Sequence, residues 1–420
     1  RGLLCVYVVP TRALANDTLA RIGGPLSDLG LTAVVRHGDR PSLPKDIPDW
    51  LITTPESLDS LVCRQAHLFA DLRTVIIDEI HLLDNTYRGD QLRVLLERLR
   101  RLAASERLSV HLLSATLRDP AGVASRYVRD FEVVAVGGRR EIEYLLLPSL
   151  EEASVVARKK GWKKILCFCN TRQAVEKVGC TLQKLWDGYP VLTHHGSLSR
   201  REREEAEVVM KEAGVAVCVA TSSLEVGIDI VDIDLVLLVE TPWSIASLLQ
   251  RIGRGSRREG TIRAAVIAET EEQQALVRAM FEQAARGELP QEEYKADLGV
   301  VVQQTFSQLY ALPGGVAEAE LKGTMHCLCA EEVLESILAH LSEKGWLEMY
   351  AGRYYARERL MNLGERGLIH SNIPDSEGYR VIDVASGREV GTIGGLFDNV
   401  FVLARRVWKV VAVEGTTVKV

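Results

Sequence analysis

No Gly-Lys dipeptide occurs anywhere in the 420 residues. The chain therefore contains no G-x-x-x-x-G-K-[ST] loop of the kind whose amides and lysine cradle nucleotide phosphates. It also contains no CxxC pair, and its eight cysteines form no Cys/His set at zinc spacing. The two nearest clusters, Cys167-Phe168-Cys169 and His326-Cys327-Leu328-Cys329, show no further ligands in the sequence, which argues against a metal site. Reduced thiols in a cytoplasmic setting are expected instead. No apolar run reaches the roughly 18 residues that a membrane helix needs, so no membrane partner is expected. Excess positive charge is missing too: 51 Lys and Arg stand against 57 Asp and Glu, a net charge of −6. That rules out a chain coated in basic residues, but not a local basic groove, so nucleic acid remains open as a partner.

What the chain does have is alternation. Short apolar strands are expected at Cys5 to Val9, Asp49 to Thr53, Thr74 to Ile77, Val110 to Leu113 and Glu132 to Val136. Amphipathic stretches separate them; from Gly89 to Ala104, residues Leu92, Leu95, Leu96, Leu99 and Leu102 mark one buried helix face. Strands alternating with helices predict a mostly parallel sheet covered on both faces. After Gly137-Gly138 the pattern restarts, with strands at Ile165 to Phe168, Val191 to His194, Val215 to Ala220, Leu235 to Val239 and Ala264 to Ala268. The texture then changes: helices at Ala296 to Tyr310 and Ala330 to Lys344 precede a hairpin over 345–356, the outline of a winged helix. From Tyr379 the chain is strand-rich, and it stops in Thr417-Val418-Lys419-Val420, which reads as a strand left open.

The strand Thr74-Val75-Ile76-Ile77 ends in Asp78-Glu79-Ile80-His81. Two adjacent carboxylates at the C-terminal edge of a parallel sheet lie where open α/β folds bind ligands. One can hold Mg²⁺ through water, and its neighbour can orient or deprotonate the water that attacks a γ-phosphate. Alone, an acid-capped strand is more often plain surface. Ser114-Ala115-Thr116 closes the next strand with two hydroxyls, a pattern that any strand-to-helix turn can carry. Pro10-Thr11-Arg12 and Thr53-Thr54-Pro55 each open a helix after a strand, and hydroxyl, guanidinium and amides there suit a phosphate backbone. An N-capped helix with a surface arginine is the plainer reading of each. Asn170-Thr171-Arg172 and His194-His195-Gly196 repeat the arrangement in the second half. The stretch Thr221-Ser222-Ser223 to Asp229 offers hydroxyls for a backbone, close approach at Gly227, and a carboxylate for a ribose or an arginine. Arg251, Arg254 and Arg257 recur every three residues behind Gln250, so one helix face or turn is expected to present all three. They suit either phosphoryl charge or a nucleic-acid backbone.

In this order the motifs resemble a superfamily 2 DExH-box helicase of the Lhr (large helicase-related) type. The cues are Asp78-Glu79-Ile80-His81-Leu82-Leu83, then Arg88-Gly89-Asp90-Gln91-Leu92, then Thr221 to Asp229, with Tyr379 to Asp383, Phe401 to Leu403 and Val407 to Val410 behind them. The resemblance implies two tandem RecA-like parallel-sheet domains (1–138 and 139–288), a winged-helix domain (289–365) and a β-rich domain (366–420). It implies ATP and Mg²⁺ as cofactors, with Asp78, Glu79, His81, Gln250, Arg254 and Arg257 catalytic and Asp78 and Glu79 holding the metal through water. Ser114, Thr116, Gly227, Asp229 and Arg251 would contact nucleotide. Thr11, Arg12, Thr53, Thr54, Asn170, Thr171, Arg172, Gly196, Thr221, Ser222 and Ser223 would contact nucleic acid. The implied activity is 3′-to-5′ translocation on single-stranded DNA, displacing DNA or RNA from DNA duplexes, in a DNA-repair setting. An RNA track and a non-catalytic scaffold that has lost its phosphate loop are the alternatives. Ser256, between Gly255 and Arg257, departs from the commoner glycine. Because the chain opens directly in a strand, a core fragment with its phosphate loop upstream is expected, truncated at the C-terminus as well, and inactive on its own.

Overall fold

The computed structural model describes residues 2–104, 108–114, 117–135, 141–224, 233–255, 261–286, 293–370, 378–394 and 399–420. The chain divides into two compact units, one made of 1–135 with 291–373, the other of 136–290 with 374–420.

In the first unit the apolar runs become the strands of a parallel sheet. These are β1 (Cys5–Val8), β2 (Ala33–Arg36), β3 (Trp50–Thr53), β4 (Thr74–Ile77) and β5 (Ser109–Leu112), in the order β2-β3-β1-β4-β5. Helices α1 (Arg12–Asp28), α2 (Pro55–Arg64), α3 (Tyr87–Leu102) and α4 (Pro120–Tyr127) connect and follow them. The leucines spaced along α3 enter one core with Val6, Val8, Val75, Ile77 and Phe69. Helix α3 starts against the turn before it: a Cβ at Gly89 would stand 2.2 Å from the Leu83 carbonyl oxygen, so only glycine fits. The strand expected at Glu132 to Val136 does not form over its described residues, 132–135. Val133 and Val134 are exposed there, and β-branched propensity without a neighbouring strand to pair and bury it does not make a strand.

The second unit carries β6 (Glu141–Leu147), α5 (Leu150–Lys160), β7 (Lys164–Phe168), α6 (Arg172–Leu185), β8 (Val191–His194), α7 (Arg200–Glu212), β9 (Ala216–Ala220), β10 (Leu235–Leu238), α8 (Ile245–Ile252), β11 (Thr261–Ile267) and α9 (Glu271–Arg286). Its sheet is parallel throughout, in the order β6-β11-β10-β7-β9-β8. All five residues of β9 are buried, as a strand covered on both faces should be.

Each sheet domain also receives a later segment of the chain. Helix α10 (Leu298–Ala311), β12 (Val316–Ala317), α11 (Glu318–Met325), α12 (Glu331–Glu343), the hairpin β13 (Leu347–Tyr350)–β14 (Arg353–Ala356) and α13 (Glu358–Glu365) belong to the first unit. Buried Asp59 on α2 anchors them. Its carboxylate accepts from Arg98 (3.0 Å), Ser307 Oγ (2.8 Å) and Gln303 Nε2 (2.8 Å), and lies 3.2 Å from His370 Nδ1. Burial by itself would raise the pKa of Asp59; the His370 hydrogen bond, the Arg98 guanidinium and the Ser307 hydroxyl outweigh it and hold the group below the ordinary carboxylate value. Asp90 adds a second anchor through Tyr294 Oη and the Asp297 amide.

In the second unit, β15 (Gly378–Asp383), β16 (Arg388–Gly394), β19 (Ala412–Glu414) and β20 (Thr417–Lys419) form one sheet, and β17 (Val400–Leu403) with β18 (Arg406–Lys409) form a hairpin. Residues 407–413 are divided between β18 and β19. The last strand, expected to be open, is instead paired on both sides, parallel to β15 and antiparallel to β19. At the tip of the hairpin, Ala404 and Arg405 both take positive φ (52° and 60°) and donate their amides to buried Glu176 on α6 (2.8 and 2.7 Å). Each sheet domain thus holds its later segment with a buried carboxylate on one of its own helices.

Candidate functional site

Strand β4 delivers Asp78 and Glu79 to the C-terminal edge of the first sheet, beside β1 and β5. The Asp78 amide donates to Val8 O (2.9 Å), continuing the ladder one residue beyond the strand. Its carboxylate accepts from Tyr7 Oη (3.0 Å) and from the Glu79 amide (2.9 Å). Tyr7, on β1, is a positioning residue that the sequence reading passed over, because nothing in the sequence registers it against β4. Burial, and then the Asp78 charge, push the Tyr7 phenol well up, so it stays a hydrogen-bond donor. Glu79 sits at φ 50°, ψ 45°, the left-handed region that a non-glycine residue rarely adopts, and this turns the chain out of the sheet directly after the acid pair.

His81 follows in the turn. Its Nδ1 lies 2.8 Å from Ser114 Oγ, at the end of β5, which physically joins two of the predicted motifs. Burial lowers the His81 pKa from 6.5 to about 4, so the ring is neutral near pH 7 and its 3.5 Å approach to Glu79 Oε2 is not an ion pair. The buried Nε2 of His81 meets no hydrogen-bond partner among the described residues. Thr116 lies outside the described residues. The acid pair fits a magnesium ion held through water, since two adjacent carboxylates stand at the sheet edge and Asp78 accepts from the neutral Tyr7 hydroxyl. A phosphate cradle is not among the motifs of this sequence.

The expected nucleic-acid contacts divide more sharply. Thr11 N-caps α1, accepting from the Leu14 amide (3.2 Å), and Arg12 Nη1 meets Asp39 Oδ1 at 2.6 Å. Thr171 N-caps α6, accepting from the Ala174 amide (3.1 Å), and Arg172 Nη1 donates to Ser197 Oγ (2.7 Å). Gly196 is exposed beside Arg172. Thr53, by contrast, is 0% exposed and donates its hydroxyl to Arg36 O, so it is a core group and not a surface contact. Thr54 caps α2 by its backbone, nearly buried, with no capping bond from its side chain. Asn170 is spent internally: its amide donates to Glu240 Oε2 (2.6 Å), its Nδ2 to Thr241 O, and its Oδ1 accepts from Arg251. Thr221 and Ser222 follow β9, Ser222 exposed; nothing is described of the Ser223 side chain, and Gly227 and Asp229 lie outside the described residues.

Arg251 is 2% exposed, bonded to Asn170 and set over Phe168 at 5.5 Å from the ring centroid, so its side chain is held within the second domain. Gln250 shares its helix; α8 stops at Ile252, and Arg254 falls in the turn beyond, its amide donating to Arg251 O (3.1 Å). Of the three arginines expected on one helix face or turn, Arg257 lies outside the described residues.

Two histidines also emerge as structural. His195, 1% exposed, accepts from the Ser197 amide at Nδ1 (3.3 Å) and faces Glu176 at Nε2 (2.9 Å). His37, equally buried, accepts from the Asp39 amide at Nδ1 (3.2 Å) and faces Asn16 Oδ1 at Nε2 (3.3 Å). The first was noted only as half of a histidine pair and the second was missed. The repeated His-Gly dipeptide behind each strand was the available signal.

Comparison with known proteins agrees with this geometry. Residues 1–122 match the DEAD/DEAH box helicase family and residues 146–259 the helicase conserved C-terminal domain. The ATP-dependent helicase Lhr-Core of Methanocaldococcus jannaschii is 35% identical over 289 residues, covering 60% of this chain and 34% of that protein. The Lhr helicase/uracil glycosylase of Escherichia coli is 30% identical over 338 residues, covering 61% of this chain and 22% of that protein. The structure of Mycobacterium smegmatis helicase Lhr bound to ssDNA and AMP-PNP superposes with a TM-score of 0.76 at 26% identity, over 89% of this chain and 55% of that one. This chain spans about a fifth to two fifths of the length of the curated relatives it matches. By these matches, the chain carries a DEAD/DEAH box helicase domain followed by a helicase conserved C-terminal domain, and it is similar to helicases of the Lhr type.

Proposed function

We propose that this chain is the nucleic-acid-gripping core of an ATP-driven DNA helicase that moves 3′-to-5′ on single-stranded DNA and displaces DNA or RNA from it, in a DNA-repair setting. The observation that carries this reading is the shared sheet edge: Asp78 and Glu79 close β4 beside β1, whose own end is capped by Thr11 and Arg12. The M. smegmatis relative bound to ssDNA and AMP-PNP supports DNA as the track. In this reading Asp78 and Glu79 would hold a magnesium ion through water, which would offset the phosphate charge, and Glu79 accepts a proton from the attacking water. Neutral His81, bonded to Ser114, ties the acid edge to the neighbouring strand end. Arg254 and Arg257 supply charge to the transferring phosphoryl group, with Gln250 placing the water. Ser114, Thr116, Gly227 and Asp229 contact the nucleotide, and Thr221 to Ser223 the DNA backbone. The helix–helix–hairpin segment within 289–365 acts as a winged helix that separates strands, and 366–420 is a β-rich domain of the Lhr type.

The test is binding of a fluorescent single-stranded DNA oligonucleotide by this chain, followed by anisotropy across a salt series, with ATP hydrolysis measured in parallel. Salt-sensitive binding with negligible turnover is expected, because no Gly-Lys phosphate loop is present. Absence of DNA binding overturns the reading, and DNA-stimulated turnover overturns the account of the nucleotide site.

A further inference from the structure

The two Thr-Arg steps are not merely similar; each is set in the same five-part clasp. In the first unit Thr11 caps α1, Arg12 reaches the turn His37-Gly38-Asp39-Arg40, and Asn16, four residues beyond the arginine, faces His37. In the second unit Thr171 caps α6, Arg172 reaches the turn His195-Gly196-Ser197-Leu198, and Glu176, again four residues on, faces His195. Both turns close with the i+3 amide donating to the histidine carbonyl, Arg40 to His37 (2.8 Å) and Leu198 to His195 (3.1 Å). In both, the histidine Nδ1 accepts from the amide two residues on, so Nε2 carries the proton that faces the Asn or Glu. Both glycines lie against the guanidinium: a Cβ would stand 2.8 Å from Arg12 Nη2 at Gly38, and 3.7 Å from Arg172 Nη2 at Gly196.

Besides Asn16 standing where Glu176 does, the partner of the arginine itself breaks the match. Where Arg172 meets the neutral hydroxyl of Ser197, Arg12 meets the carboxylate of Asp39 at 2.6 Å. Arg12 and Asp39 are partly exposed, so the pair is weakly held, and an incoming phosphate competes for the guanidinium on comparable terms. We propose that Asp39 is an internal competitor for Arg12, so that the first-domain clasp releases the nucleic-acid backbone more readily than the second-domain clasp built on Ser197. This rests on the DNA-gripping reading above and adds to it an asymmetry between the two grips. Asp39 is a positioning residue for the arginine and touches no reacting atom.

The experiment is single-stranded DNA binding by the whole chain carrying Asp39→Asn or Asp39→Ser, the second reproducing the side chain at Ser197. Both replacements are at an exposed turn, and thermal melting confirms the fold. Binding about threefold tighter is expected, with a salt dependence steeper by up to about 0.7 in the log–log slope, one further phosphate neutralised. Adding Arg12→Gln to Asp39→Asn should abolish both gains, whereas adding Arg172→Gln should lower affinity and leave the gain from Asp39→Asn in place. Unchanged affinity and slope in both Asp39 variants overturn the competitor role while the DNA reading stands. A chain that binds no DNA in any form overturns both.

Discussion

The C-terminal edges of the two parallel sheets carry the same kind of group under different constraints. Strand β4 ends in Asp78-Glu79, and β10, which flanks β7 as β4 flanks β1, runs out through Val239 to Glu240. In both, the residue just past the strand continues the ladder, Asp78 to Val8 O and Val239 to Phe168 O. Beyond that point they diverge. Glu240 accepts the Asn170 amide, and Asn170 in turn accepts from buried Arg251, so the second edge is knitted into a structural cluster. At the first edge a left-handed backbone at Glu79 turns the chain out of the sheet, and the uncharged imidazole of His81 lies 3.5 Å from the Glu79 carboxylate. The acid is thus tied into a structural cluster with a buried arginine at one edge and set beside a neutral ring at the other.

Breaking the second edge should produce the largest effect. Arg251→Ala removes a buried side chain and strands the Asn170 oxygen, so unfolding of the chain in urea should show a loss of about 3 kcal/mol. A change within about 0.5 kcal/mol, the range of an ordinary surface substitution, would return Arg251 to the ligand-binding residues. The first edge should respond to pH. His81 has a folded pKa of about 4 against 6.5 unfolded, so its neutral burial contributes fully above pH 6.5 and is lost as pH falls through 4. The difference in stability between the wild type and His81→Gln should therefore drift by up to about 3 kcal/mol across that window; a flat difference would mean that the ring is not buried neutral. Glu240→Gln should cost about 1–2 kcal/mol by weakening a charge-assisted bond to a backbone amide. The matching change at the first edge, Glu79→Gln, should alter stability by less than about 0.5 kcal/mol and leave DNA affinity unchanged. Equal costs at Glu240 and Glu79 would erase the distinction between the edges.

Much of this was legible in residue order because it rests on local physics. Apolar runs of four or five residues between amphipathic stretches place β1, β3, β4, β5 and most of the second sheet, since a strand buried on both faces has little choice of composition. Thr11 and Thr171 as caps follow from a hydroxyl placed before a helix start. Strands β2 and β6, both at sheet edges, escaped because edge strands need less apolar character. The strand expected at 132–136 failed for the converse reason, propensity with nothing to pair against. The arginines at 251 and 254 looked equivalent by spacing, and the end of α8 between them separated a buried brace from a turn residue.

By itself, then, the sequence determined the alternating α/β architecture, the acid pair closing β4, the paired Thr-Arg steps and the likeness to helicases, all properties of short-range pattern and spacing. Only the tertiary structure decided which polar groups are spent and which are presented. Thr53 turns inward to Arg36, Asn170 is consumed by Glu240 and Arg251, His37 and His195 brace two matching turns, and Asp39 alone sets a charge against its arginine. Apart from the two histidine turns, whose Nδ1 bonds span two residues, those partners lie some 17 to 81 residues away along the chain, and a hydrogen bond between residues so distant in sequence is settled by packing, which no local pattern encodes.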